Sequence, residues 1–244
     1  MMKFAIIAAG EGARLASEGI TTPKPLVNIC GEPVIDRLMR SFIDCEAEEI
    51  VVLYNDGMPE VKKHLEHILQ DGIDGRSVPL RFMGTKTPSS MHSFFEISPL
   101  LANAPFCLTT VDTIFNHNDF ARFIDHFRQS VKSGETDGMM AVTDFIDDES
   151  PLYIETDDQL NISAFLDKQN GKCKYISGGI YALSSQCLKT LENCIQRGES
   201  RMRNYQRALL KDGLRLKAYP FHQIFDIDHA TDIEKAEKIL AHEH

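Results

Sequence analysis

The chain has 244 residues, of which 43% are hydrophobic and 25% charged, and a formal net charge of −10. That length suits one large α/β domain, or one with a small appendage, and it can bury a core without staples. The acidic balance excludes nucleic acid and anionic lipid as partners of the whole surface, so any phosphate binding has to be local.

The opening run, MMKFAIIAAGEG, is too short for a signal-peptide core with its cleavage site, and no segment approaches the roughly 20 apolar residues of a membrane span. A cytoplasmic protein without membrane contact is expected. Residues 3–9 read as a buried strand. Over 33–45, Val34, Ile35, Leu38, Met39, Phe42 and Ile43 recur at helical spacing. Residues 49–54 are a second strand, 59–70 a helix, 78–83 a third strand and 89–101 a helix. A fourth strand over 104–112 precedes a helix near 117–132 and a fifth strand over 138–145. The rhythm then changes. Residues 151–168 read as two strands joined by an Asp-Asp turn, and 174–183 as another strand, broken by Gly178 and Gly179. Helices near 184–197 and 199–212 follow. LRLKAYPF and IFDI rebuild a strand edge, and Thr231-Asp232-Ile233-Glu234 has the form of a capping box opening a last helix to about residue 242.

Strand–helix alternation of this kind implies an α/β fold, with a mostly parallel central sheet and helices on both faces. No linker or repeat interrupts it, and 145–222 is expected to form a lobe or lid on the main sheet. Ligands on such sheets bind at the carboxyl ends of the strands. Gly10 to Arg14 follows the first strand and Asp112 closes the fourth. The six cysteines form no Cys-x-x-Cys pair, so a structural zinc site is not expected. His242 and His244 read as a frayed tail rather than ligands.

The chemistry concentrates in AIIAAGEGARLASEGITTPKPLV, residues 5–27. Gly10 and Gly12 let backbone N–H groups approach an anion. Arg14 can fork onto phosphate oxygens. Pro23 and Pro25 should hold Lys24 in extended backbone, as a positioned charge. A dinucleotide fingerprint would need a third glycine where Leu15 stands, and a Walker loop would need Gly-Lys-Ser/Thr. The combination points to a ligand with several phosphates.

The longer stretch AAGEGARLASEGITTPKPLVNICGEPVI resembles the signature of the sugar nucleotidyltransferases, in which Ala-Ala-Gly-x-Gly-x-Arg precedes Pro-Lys-Pro-Leu and Gly-x-Pro. Weaker matches carry the resemblance over most of the chain. It implies a Rossmann-like fold of the nucleotide-diphospho-sugar transferase type. Residues 1–144 would bind nucleotide, 145–222 would form a small β-rich acceptor-binding lobe, and 223–244 would add a returning strand and the final helix.

The resemblance also implies roles. Gly10 and Gly12 would line the triphosphate, Ala8 and Ala9 would lie near base or ribose, and Arg14 and Lys24 would be catalytic, neutralising phosphate charge. Asp112 would hold Mg²⁺, with Asp226 the closer match for a second metal carboxylate and Asp228 the other candidate. In FLDKQNGKCKYISGGIYAL, Asp167 and the Gly179 backbone would contact acceptor hydroxyls, and Lys168 the acceptor phosphate. Ser89 and Ser90 stand where the family contacts the base; either caps a helix or bonds the base. Arg203, Arg207 and Lys211 fall on one helix face and read as a solvated stripe.

The implied reaction condenses a nucleoside triphosphate with a sugar 1-phosphate and releases pyrophosphate, with Mg²⁺ as cofactor. Two alternatives stay open on the same fold: a phosphocholine-type cytidylyltransferase and a non-catalytic nucleotide sensor. Base, sugar and oligomeric state, a homo-oligomer included, are not fixed by the sequence.

Overall fold

A computed structural model describes residues 1–145 and 150–241. His242 and His244 therefore lie outside the described residues. In chain order the elements are β1 (Lys3–Ala8), α1 (Ala13–Ser17), a 3-10 turn (Lys24–Leu26), β2 (Asn28–Ile29), β3 (Glu32–Pro33), α2 (Val34–Asp44), β4 (Glu49–Tyr54) and α3 (Pro59–Asp71). Next come β5 (Leu80–Gly84), α4 (Ser90–Leu101), β6 (Phe106–Thr110), β7 (Thr113–Phe115), α5 (His117–Lys132) and β8 (Gly138–Thr143). After the undescribed residues follow β9 (Tyr153–Thr156), β10 (Ile162–Leu166), β11 (Tyr175–Leu183), α6 (Cys187–Gln196), α7 (Met202–Lys211), β12 (Leu216–Pro220), β13 (Ile224–Asp226) and α8 (Ala230–Leu240).

The central sheet runs β5-β4-β1-β6-β11-β8-β12. Along that path only β11 points against the rest, because it pairs antiparallel with both β6 and β8. The expected mostly parallel sheet is present. The β9–β10 hairpin continues the same sheet through Tyr175 and Ile176 at the start of β11.

Both faces are covered, and β1 shows why the strand reads as unbroken apolar sequence. Phe4, Ile6 and Ala8 join one core with residues of α2, α3 and α5, whereas Ala5 and Ile7 join a second core with α4, α6 and α7. The first core is built on stacked rings: Phe4 on Phe42 at 4.7 Å between centroids and Phe115 on Phe120 at 4.8 Å. Each such fully buried side chain contributes roughly 1.5–3 kcal/mol over its exposed state. A third, smaller cluster of Leu15, Val27, Ile29, Ile114, Phe225, Ile227 and Ala236 ties α1 and α8 to β7 and β13.

Three expectations need correction. The IFDI segment does not extend the main sheet: β13 pairs antiparallel with β7, a three-residue strand too short to stand out in the sequence. The last helix is capped two residues early, at His229, and the Asp232 carboxylate accepts the Asp228 and His229 N–H groups at 3.0 and 2.8 Å, so Thr231 is not its cap. Lys24 is not extended; it opens a single 3-10 turn in which Leu26 N–H donates to Pro23 O at 2.8 Å. Pro25 fits there because a first-turn residue has no intrahelical N–H bond to lose.

Candidate active site

The parallel strands β1, β4, β5 and β6 all end on one edge, and the connections leaving them enclose a cleft of about 570 Å³. Gly10 to Arg14 leaves β1 and forms one wall. At Gly12 the backbone is left-handed, φ +63°, and an added Cβ would lie 3.5 Å from Lys24 Cβ. The glycine therefore permits the left-handed turn, while the Lys24 stem would meet a Cβ there only at ordinary contact distance. The segments after β4, β5 and β6 contribute Asn55, the run Lys86 to Ser90, and Val111 with Asp112.

At the floor the charges interlock. Lys24 Nζ lies 2.5 Å from Asp112 Oδ2 and 2.9 Å from Asp228 Oδ1, and Arg14 Nη1 donates to Asp228 Oδ2 at 2.8 Å. Burial works against the Lys24 charge, but the two carboxylates outweigh it and hold its pKa above the ordinary lysine value. Asp228 is held below the usual carboxylate range, because Lys24 and Arg14 together overcome its partial burial. Asp112 Oδ1 is buried without a hydrogen-bond partner.

A second recess of about 340 Å³ adjoins the cleft and shares Arg14 and Asp228 with it. Asp226 opens into this recess. Thr113 Oγ1 donates to Asp226 Oδ1 at 2.9 Å and lies 2.8 Å from Thr110 Oγ1. The surrounding protein, then the Asp112 charge, push the Asp226 carboxyl above its ordinary value, although its outer side still meets solvent in the recess.

Asp112, with one carboxylate oxygen buried and unpartnered, and one of Asp226 or Asp228 offer the oxygen-only donors that suit a hard cation such as Mg²⁺. Among the described residues no group of three His, Cys, Asp or Glu side chains is placed to hold a metal ion by itself. A bound ion would then draw its remaining oxygens from phosphate and water.

The structure brings most of the sequence candidates together. Ala9, Gly10, Gly12, Arg14, Lys24, Ser89, Ser90, Asp112 and Asp228 line the cleft. Ala8, at the end of β1, is buried in the first core and does not line the cleft. Ser89 caps α4, its Oγ accepting from His92 N–H. Gly178 lines the second recess; Gly179, at φ +76°, is not among its lining residues but packs behind Asp226, where an added Cβ would lie 3.5 Å from Thr113 Oγ1 and 4.0 Å from Asp226 Oδ1.

Asp167 and Lys168 lie apart, in a shallow recess with Arg203 that touches the second one through Ser150. Asp167 accepts from Arg203 at 2.7 Å and Arg207 at 2.8 Å, so these two arginines are not the solvated stripe expected of them. Their helix packs on β10, and Arg207 Nε also reaches Phe165 O. Asn55, Lys86, Thr110 and Thr113 were missed as site residues. The strand-end rule that selected Gly10 and Asp112 applies equally to Asn55 after β4 and Lys86 after β5.

A family model described as nucleotidyl transferase matches residues 3–242. The bifunctional protein GlmU of Alkaliphilus metalliredigens is 23% identical over 236 residues, covering 93% of this chain and 48% of its own length. The chain spans about half the length of the curated relatives it matches. Among solved structures, a Bacillus anthracis protein assigned as a glucose-1-phosphate thymidylyltransferase superposes with a TM-score of 0.82 at 18% identity, over 98% of this chain and 95% of that one. The CTP:phosphocholine cytidylyltransferase of Streptococcus pneumoniae gives 0.74 at 18% identity, over 98% and 99%. These likenesses establish the shared fold.

Proposed function

The chain belongs to the nucleotidyl transferase family, and from that premise we propose that it condenses a nucleoside triphosphate with a sugar 1-phosphate, giving a nucleotide sugar and pyrophosphate. The observation that carries this reading is the convergence of Arg14 and Lys24 on Asp228, beside Asp112, where the glycine turn meets the ends of the parallel strands. Two cations and a glycine turn suit a triphosphate; the adjoining recess suits the acceptor.

The acceptor phosphate, whose second pKa is about 6, is mostly dianionic at neutral pH and needs no general base. One of its oxygens attacks the α-phosphorus in line, a new P–O bond forms, and the bond to the departing pyrophosphate breaks. Catalysis is alignment and charge neutralisation. Gly10 and Gly12 offer backbone N–H groups to the triphosphate, with Ala8 and Ala9 towards the base or ribose and Ser89 and Ser90 at the base end. Arg14 and Lys24 neutralise the leaving side. Mg²⁺, held by Asp112 with Asp226 or Asp228, would supply further neutralisation of phosphate charge. Gly179, and Asp167 with Lys168 across Ser150, would form the acceptor side of a lobe within 145–222.

A quaternary ammonium acceptor fits less well. The aromatic rings lining the second recess, Phe145 and Phe225, already hold the Lys235 ammonium at 4.6 and 4.7 Å from their centroids. The six free thiols suit a cytoplasmic enzyme.

The test is pyrophosphate release with Mg²⁺ over a matrix of CTP, UTP, dTTP, GTP and ATP against sugar 1-phosphates and phosphocholine. Release in a sugar row, abolished by Asp112→Ala, is the expected result. Release only with phosphocholine would change the acceptor. Binding of metal and nucleotide without any release would favour a sensor.

A further inference from the structure

We propose that the floor of the cleft is an ion-exchange cluster: Lys24 stands in for the divalent cation at Asp112, and Asp228 stands in for nucleotide phosphate at Arg14 and Lys24. The inference rests on the nucleotidyl transfer proposed above and adds how the site admits its two charged ligands.

Each side of the exchange is visible in the geometry. Both Asp228 oxygens are taken, Oδ1 by Lys24 at 2.9 Å and Oδ2 by Arg14 at 2.8 Å. These are the two cations that a triphosphate would need. One Asp112 oxygen is taken by Lys24 at 2.5 Å, and the other is buried with no partner. The Lys24 side chain is only 10% exposed, so its charge is always in want of a counter-charge and cannot swing free into water at low cost.

A divalent ion arriving alone has to expel Lys24 from Asp112 and leave that ammonium under-neutralised. A triphosphate arriving alone has to expel Asp228 from both cations and leave the carboxylates facing each other. When the two arrive together, phosphate draws Lys24 and Arg14 away while the metal neutralises the released carboxylates. Each ligand removes the other's competitor. The coupling is reciprocal by thermodynamic necessity. The protein is therefore selective for the metal–nucleotide complex over free metal and over metal-free polyphosphate, and the selectivity resides in the same side chains that serve the reaction.

The experiment measures the two ligands separately, without turnover. Mn²⁺ alone is titrated by electron paramagnetic resonance, and inorganic tripolyphosphate is titrated by calorimetry in the presence of a chelator. Lys24→Gln, and Lys24→Met as a second variant, remove the internal cation; each is expected to bind Mn²⁺ at least about five-fold tighter than the unmodified chain. Asp228→Asn removes the internal anion and is expected to bind metal-free tripolyphosphate at least about five-fold tighter. Unchanged or weaker binding in either arm overturns the exchange. The arms rest on different residues, so if neither Lys24 variant folds the tripolyphosphate arm still decides. Asp112→Asn separates the two readings. If Mn²⁺ binding depends on Asp112 but ignores Lys24, the exchange falls and the functional reading stands. If neither ligand binds any of these proteins, both fall.

Discussion

Thr113 and Asp226 face each other across the β7–β13 pair, and the threonine hydroxyl donates to Asp226 Oδ1 at 2.9 Å. Thr113 is 1% exposed, so no water can replace that donor. Its bond fixes one carboxylate oxygen and leaves the other directed by the recess. Thr113→Val keeps the shape and removes the donor. The concentration of Mg²⁺ giving half-maximal pyrophosphate release should rise about ten-fold, and Thr113→Ser should restore it. Unaltered metal dependence would remove Asp226 from the metal site.

Gly179 tests the proposed acceptor side. Its φ of +76° is strained for any residue with a Cβ, and the added methyl would press on Thr113 and Asp226, the latter a residue of the second recess. Gly179→Ala should cost about 1–2 kcal/mol, read as a lowered Tm. It should also raise the KM for the sugar phosphate while leaving the KM for the nucleotide near its original value. A matched rise in both would remove Gly179 from the proposed acceptor side.

Asp167 tests the outer acceptor residues. Its side chain is 56% exposed and its partners Arg203 and Arg207 are also accessible. Removing such a surface ion pair costs at most about 1 kcal/mol. Asp167→Ala should therefore barely move the Tm. An acceptor role predicts a raised acceptor KM at nearly constant stability. If activity follows only the small stability change, the pair merely ties α7 to the end of β10.

The parts of this protein that were legible in the sequence share a physical cause. β1 is buried on both faces, so Phe4 to Ala8 reads as continuous apolar sequence, and the following glycines mark the turn that walls the cleft. Gly12, Arg14, Lys24 and Asp112 stand out because composition and spacing are local properties. Thr113 and Asn55 are ordinary residues until the fold brings Asn55 to the cleft and Thr113 against Asp226. Asn55 illustrates this: it accepts from Gly57 N–H at 2.9 Å and donates to Ala9 O at 3.3 Å, clasping the turn after β4 to the glycine turn. The ion pairs of Lys24 link residues 24, 112 and 228, a non-local arrangement that periodicity cannot report.

Asp137 supplies a prediction on pH. Its carboxylate accepts from Arg215 N–H at 2.8 Å, from Arg215 Nη2 at 2.9 Å and from Gln186 Nε2 at 2.6 Å, joining the start of β8 to the residue before β12 and to the N-terminus of α6. The Arg215 hydrogen bond dominates, and despite partial burial the carboxyl is held below its ordinary value. A carboxyl lowered by folding stabilises the native state above its unfolded pKa, near 3.9, and that contribution is lost as the pH falls through the folded value. Asp137→Asn should therefore lower stability by about 2 kcal/mol at neutral pH. In thermal melts the gap between the two proteins should stay constant from about pH 7 to pH 5, then narrow below about pH 4 as Asp137 itself becomes protonated. A gap that persists undiminished into that acid window would show that the contribution of Asp137 does not depend on its charge.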